Sequence, residues 1–189
     1  LMTVKVESEV LRETQLVVCL LFQYAGMSFV DFAHLKERNI KNGILDYNRQ
    51  KTGTPMRLEI LDTAELMRKE LMGDKKPASG YLFPFLSGTK TGYEAYLEYN
   101  AALSRFNRNL KTLKEVAGIA SDVTSYTIRH SFAMALKEQN VPIEMISELL
   151  GHKSIKTTQI YLRSFSLEKM TVVNKSCFEN VYNYMPEVG

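Results

Sequence analysis

An arginine, a histidine and a tyrosine fall within one stretch of this chain at spacings that suit chemistry on phosphorus. His152 follows Arg129 by 23 residues, in the run Leu150, Gly151, His152, and Tyr161 comes nine residues later. A tyrosine can attack phosphorus and hold the product as a phosphotyrosine, dividing one hard displacement into two easier steps. Its phenol has an ordinary pKa of about 10, so nearby positive charge must favour the phenolate. A guanidinium meets two phosphate oxygens with one planar fork. Fixed donors aimed at charge that develops in the transition state usually supply the largest rate term. Tyr161 fits the nucleophile, and Arg129 and His152 fit the donors. Each has a blander reading: a surface arginine, a structural histidine, or one more packed ring among 10 tyrosines.

Helical periodicity predicts how these groups are held. Residues 126–139 read as an amphipathic helix with Phe132, Ala133 and Leu136 on its apolar stripe. Tyr126 stands three residues before Arg129, on the same face. His130 lies about 100° round that helix from Arg129 and reads as a packing or hydrogen-bonding residue. Asn140, Val141 and Pro142 open the next helix, whose stripe is Ile143, Ile146, Leu149 and Leu150. Gly151 stops it, and residues 154–161 form a short helix that ends on the tyrosine.

The earlier half is organised differently. Residues 7–24 read as a helix, and 16–22 are apolar nearly all round, which predicts a central place in the core. Gly26 breaks it, and Ser28 caps a second short helix over 29–35. Strands at about 44–49 and 56–60 flank Lys51, Thr52 and Gly53, a tight turn with glycine for positive φ. Arg49 lies two residues before Lys51, so the two share a face if the strand continues. Residues 62–73 read as a helix, 74–80 as a loop, 81–86 as a short extended run and 87–92 as a connection. A long helix over 93–117 carries Arg105, Arg108, Lys111 and Lys114 at spacings of three, read as one basic stripe. That stripe is equally well a solvated face or a set of DNA phosphate contacts. A last amphipathic helix is expected over 167–182.

The box from Arg129 through Leu150, Gly151 and His152 to Tyr161 resembles the catalytic box of the tyrosine recombinases, the lambda-type phage integrases. The resemblance implies a mainly α fold with a small antiparallel β-sheet, and cleavage and rejoining of duplex DNA through a 3′-phosphotyrosine. It makes Tyr161 the nucleophile, Arg129 the second arginine of the family, and His152 its later His/Trp position. Tyr126 stands where the family usually has histidine; it can still donate a hydrogen bond, but without an imidazolium's charge. The family carries its catalytic lysine on a β-hairpin, which makes Lys51 the general acid for the leaving 5′ oxygen; a solvated turn lysine is the competing reading.

One family residue is missing. The first catalytic arginine belongs at the break after the first helix, where this chain has Ala25, Gly26, Met27 and Ser28. Ser28 holds that place if Asp31 is the acidic residue three later; Ala25 is the other register. Integrases of Bacteroides-type mobile elements also resemble this run and lack the arginine. Arg49 is the candidate to replace it in part, against the equal reading of a surface strand arginine.

Composition sets the remaining bounds. With 189 residues, 45% apolar and 24% charged, the chain suits one globular domain. Residues 1–189 read as a single catalytic domain excised from a longer integrase, without the helical domain that clamps the other face of DNA, and with Leu1 as a cloning remnant. A net charge of +3 permits an anionic partner without demanding one. Cys19 and Cys177 read as reduced structural thiols of a bacterial cytoplasmic protein, and no apolar run is long enough for a membrane span. His34, His130 and His152 show no zinc-type spacing. The resemblance implies double-stranded DNA and further copies of the chain, four in the working synapse, as partners, with no metal or nucleotide cofactor. Two rival readings are a DNA-binding member of the fold that does not cut, and a type IB topoisomerase.

Overall fold

The computed structural model describes residues 1–77, 80–162 and 171, and for Tyr161 its backbone. Cys177 and the expected helix over 167–182, apart from helical residue 171, lie outside them. The described elements run α1 (Glu9–Gln23), α2 (Phe29–Ala33), a 3-10 turn (Glu37–Asn39), β1 (Ile40–Lys41), β2 (Ile44–Asn48), β3 (Pro55–Glu59), α3 (Asp62–Met72), α4 (Gly92–Val116), α5 (Ser125–Glu138), α6 (Ile143–Leu149) and α7 (Ile155–Tyr161). The architecture is mainly helical with one small antiparallel sheet.

α1 is the central helix, because it has no polar face over its second half. Every residue from Thr14 to Leu21 is buried, and α3, α4 and α5 pack around it. Ala102, Phe106, Leu110 and Leu113 form the buried face of α4. Phe106 stacks on Phe29 at 4.7 Å between ring centroids, so the start of α2 is fixed against α4. Ser28 caps α2 as expected, its Oγ accepting from the Asp31 backbone N–H. α2 is shorter than expected and stops at Ala33.

The sheet has three strands in the order β1-β2-β3, one more than the hairpin read from the sequence. The missed signal is Asn42-Gly43, whose φ angles of 53° and 74° make a two-residue turn from β1 into β2. β2 pairs with β3 in the register Leu45 to Leu58 and Tyr47 to Met56, which sends Leu45 and Tyr47 into the core and Asp46 outward. β2 ends at Asn48, so Arg49 opens the turn instead of extending the strand. The Arg49 N–H donates to the Thr54 carbonyl at 2.9 Å and the Gly53 N–H to the Arg49 carbonyl at 2.8 Å. The shared strand face expected for Arg49 and Lys51 is therefore lost: Arg49 is buried and Lys51 is exposed. The run over 81–86 is not a strand, although Tyr81 bridges Lys36 and Leu82 and Phe83 are buried.

A second, smaller core gathers Ala133 of α5, Ile146 of α6 and Leu150, with Phe132 and Leu162 packed on it. Burying side chains of the size of Ile and Leu contributes about 1.5–3 kcal/mol each, and here it fixes α6 and the end of α7 against α5. Phe132 also meets Phe22 edge-on at 5.3 Å, which joins this unit to the end of α1. At Gly26, φ is +62° and an added Cβ would stand 2.9 Å from Phe132, so glycine is required where α1 turns under α5.

Candidate active site

Arg129 and His152 are brought together. Thr124 caps α5 and accepts from the Thr127 N–H, which starts the helix one residue before Tyr126 and turns Arg129 inward. Only 4% of Arg129 is exposed, and its guanidinium is held by backbone carbonyls. Nη1 donates to the Gly26 carbonyl at 2.9 Å, and Nη2 donates to the Leu150 carbonyl and to His152 Nε2, the latter at 3.2 Å. His152 is placed by the end of α6: Gly151 N–H donates to Glu148 and His152 N–H to Ser147. Gly151 has φ +62°, and a Cβ there would lie 2.4 Å from Met56 Sδ and 2.7 Å from Arg49 Cδ. The glycine before His152 thus serves both the helix stop and the close approach of the β2–β3 hairpin.

A second buried guanidinium enters from that hairpin. Arg49 Nη1 donates to the carbonyls of Leu150 at 3.0 Å and Gly151 at 3.2 Å, and Nε pairs with Asp31 Oδ2 at 3.3 Å. Asp31 also accepts from Ser28 Oγ at 2.6 Å and from the Gln50 N–H at 2.7 Å. Arg49 Nη2 makes no hydrogen bond to another described residue. Ser28 and Arg49 therefore meet through one carboxylate, whereas Ala25 is buried at φ +55° under the turn.

His152 is uncharged here. Burial first, then the positive charges of Arg129 and Arg49, push its pKa down to about 4. Because a guanidinium can only donate, His152 Nε2 accepts from Arg129 and the ring proton sits on Nδ1, which donates to Thr158 Oγ1 at 2.9 Å. Two guanidinium groups, with Asp31 paired to Arg49, make this a cationic place that is mostly buried. Buried charge is stable only when paired, so an anion is the natural complement of this site.

Other expected site residues stand outside this cluster. Lys51 is exposed in the β2–β3 turn, next to Gln50, whose N–H is tied to Asp31. Tyr126 is 59% exposed on the first turn of α5. Tyr161 is the last residue of α7, and its side chain lies outside the described residues. On α4, Arg105, Arg108 and Lys111 are exposed, but Lys114 is turned onto the Ser121 carbonyl at 3.1 Å and Asp122 at 3.2 Å. Steps of three on a helix of 3.6 residues per turn drift back by about 60° each, so four such residues wrap half the cylinder instead of forming one stripe. His34 Nδ1 lies 2.7 Å from the Val30 carbonyl and takes no part.

Sequence reasoning missed Thr158 and the carbonyls of Gly26, Leu150 and Gly151. Backbone acceptors leave no signature in residue types. Thr158 did have one, as a β-branched hydroxyl one helical turn before Tyr161 and wholly buried.

A family model described as the phage integrase family matches residues 3–168. Tyrosine recombinase XerD of Lacticaseibacillus casei is 42% identical over 69 residues, which is 36% of this chain and 24% of that protein. Tyrosine recombinase XerC of Rickettsia typhi is 41% identical over 75 residues, 40% of this chain and 24% of that one. The chain thus aligns with about a quarter of the length of these relatives. Among solved structures, XerA recombinase superposes with a TM-score of 0.61 at 21% identity, over 91% of this chain and 65% of that one. The Tn1549 transposon integrase in complex with a circular intermediate DNA gives 0.65 at 14% identity, over 89% and 60%. At such identities the likeness is one of fold.

Proposed function

The chain belongs to the phage integrase family, and on that premise we propose that it is the catalytic domain of a site-specific tyrosine recombinase that cuts and rejoins duplex DNA. The observation that carries this reading is the convergence of Arg129, Arg49 and His152 around the Leu150 carbonyl, beside the helix that ends in Tyr161. A scissile phosphate is the anion that such a site complements. Its oxygens replace the carbonyl and Nε2 as acceptors for the guanidinium groups, and Arg49 does part of the work of the absent first arginine. Tyr161 Oη, its proton given up to water, then bonds to phosphorus as the bond to the 5′ oxygen breaks, and Lys51 gives that oxygen a proton. The released 5′-hydroxyl of a partner strand reverses the step. The bond energy is kept in the phosphotyrosine, so the reaction as written calls for no nucleotide or metal cofactor.

The wider partners follow from the reaction. Strand exchange needs two duplexes and one active site per cut strand, so four copies work together, in a bacterial cytoplasm where the DNA is. Arg105, Arg108 and Lys111 face solvent and suit phosphate contacts; replacing any one should lower the salt slope of DNA binding by about 1. Among the described residues, no helix is long and apolar enough to cross a membrane.

The test is a covalent trap. The protein is mixed with nicked duplexes randomised around the nick, and adducts are read on a denaturing gel. Wild type forms an adduct and Tyr161→Phe forms none. A second reading, a member of the family that binds DNA without cutting, is favoured by the lack of an arginine over residues 25–28 and by the exposed Lys51. DNA retention without any adduct, across the whole pool, would establish it in place of the first.

A further inference from the structure

The hydroxyl of Thr158 has no part in the reaction as written, yet it is wholly buried and pairs with the one imidazole of the site. We infer that Thr158 is a positioning residue whose hydroxyl lets His152 exchange tautomers between the empty and the phosphate-bound site. The inference rests on the recombinase reading for the bound state, but its first half concerns the free protein alone.

In the free protein His152 Nε2 must accept, since Arg129 Nη2 faces it at 3.2 Å and cannot accept. The ring proton is then on Nδ1 and Thr158 Oγ1 receives it at 2.9 Å. A phosphate oxygen in the site reverses the demand, because it is also an acceptor and Nε2 must carry a proton to meet it. Nδ1 is then bare and needs a donor. A hydroxyl is both donor and acceptor and turns about one bond, so Thr158 serves each state without leaving a buried nitrogen unpaired. One proton leaves Nδ1 and another reaches Nε2, exchanged with water at the half-buried ring, so its charge does not change.

The placement of Thr158 adds a second consequence. It sits on α7 three residues before Tyr161, so the bond that sets the tautomer also ties the imidazole to the helix that bears the nucleophile. A carbonyl in place of the hydroxyl would accept from Nδ1 but could not donate to it. It would hold the ring in the form that repels phosphate.

The experiment uses the full chain with histidine labelled by nitrogen-15, His152 being identified by comparison with His152→Gln. The free wild type should show the proton on Nδ1, and the covalent adduct with a nicked duplex should show it on Nε2. Thr158→Ser should keep both signatures and cleave within about 3-fold of wild type. Thr158→Val should slow adduct formation about 10- to 100-fold, by analogy with a metal-bound imidazole that loses its outer partner. A free-state proton on Nε2, or wild-type cleavage by Thr158→Val, would overturn the inference. If Thr158→Val does not fold, the serine variant and the wild-type spectra still decide. If wild type forms no adduct on any duplex, the recombinase reading fails, while the free-state tautomer stands or falls by its own spectrum.

Discussion

Arg49 and Arg129 donate to the same acceptor, the Leu150 carbonyl, although 80 residues separate them in the chain. Two guanidinium groups do not approach one another unless something negative holds them there. The partial charge of one carbonyl does so here, helped by Asp31 on the Arg49 side. The small core of Ala133, Ile146 and Leu150 keeps that carbonyl in place, so packing far from the chemistry sets the spacing of the two cations. A phosphate, with full charge and several acceptors, satisfies the pair better than the backbone does.

The first expectation follows from that pair. Arg49→Ala should slow adduct formation about 10²- to 10³-fold, the usual cost of losing one transition-state donor. Arg49→Lys should recover little, because an ammonium cannot span Asp31 and two carbonyls at once. Stability must be separated from catalysis, since Asp31 loses its cation in a site only 1% exposed. Breaking a buried pair costs about 3–5 kcal/mol. The double variant Arg49→Ala, Asp31→Asn should regain much of the lost urea midpoint and none of the cleavage. Cleavage by Arg49→Ala at the wild-type rate would remove Arg49 from the mechanism.

Gly151 bears on both fold and site. Its φ of +62° and the contact an added Cβ would make with Met56 Sδ at 2.4 Å mean that Gly151→Ala is strained twice. A left-handed non-glycine residue costs about 1–3 kcal/mol, and overpacking costs about 1–3 kcal/mol more. Urea unfolding should show a loss in the sum of those ranges. Adding Met56→Ala should relieve only the Met56 share of the packing part, since the contact with Arg49 Cδ stays. An unchanged midpoint for Gly151→Ala would mean that the hairpin is not pressed against the end of α6.

Much of this arrangement was legible in the sequence, and the exceptions share a cause. The helices that carry Arg129 and Tyr161, and the turn between α6 and α7 that carries His152, follow from apolar periodicity and from Pro142 and Gly151 as start and stop signals. The inward turn of Arg49 was not legible as such. Period-2 alternation assigns faces only while a strand lasts, and β2 stops one residue short of Arg49. The β1 strand was missed because two residues give no periodicity, although Asn42-Gly43 marked the turn. Lys114 was read by spacing alone, and spacing is blind to Asp122, a loop residue eight positions on. Local pattern finds elements; which cation turns inward depends on carbonyls that only the folded chain brings close.

The depressed pKa of His152 gives a pH dependence of known sign. The folded-state value is about 4, against an ordinary 6.5, so the unfolded chain binds the extra proton first. The contribution is fully present above pH 6.5 and is lost as pH falls towards 4. The urea midpoint of wild type should therefore drop between those values, and His152→Gln should flatten that part of the profile. A midpoint that rises on acidification through the same window would show that the imidazolium is favoured in the folded protein.

Lys51, like Tyr126, is a catalytic candidate that stands exposed outside the cluster. Its turn is tied to the site, because the Gln50 N–H donates to Asp31 Oδ1 at 2.7 Å. If Lys51 protonates the leaving oxygen, its value depends on how poor that leaving group is. An alkoxide needs the proton; a thiolate, with a pKa near 8.5, leaves without it. Lys51→Ala should cut ordinary nicked duplexes about 10²- to 10⁴-fold more slowly, the range for a lost general acid. The same variant should cut a duplex with sulfur at the bridging 5′ position at nearly the wild-type rate. Arg129→Ala should be slow on both, because its contact is with the non-bridging oxygens. Equal slowing of Lys51→Ala on oxygen and sulfur substrates would make Lys51 a binding residue and leave the acid to be sought elsewhere, with exposed Tyr126 on α5 the next to try.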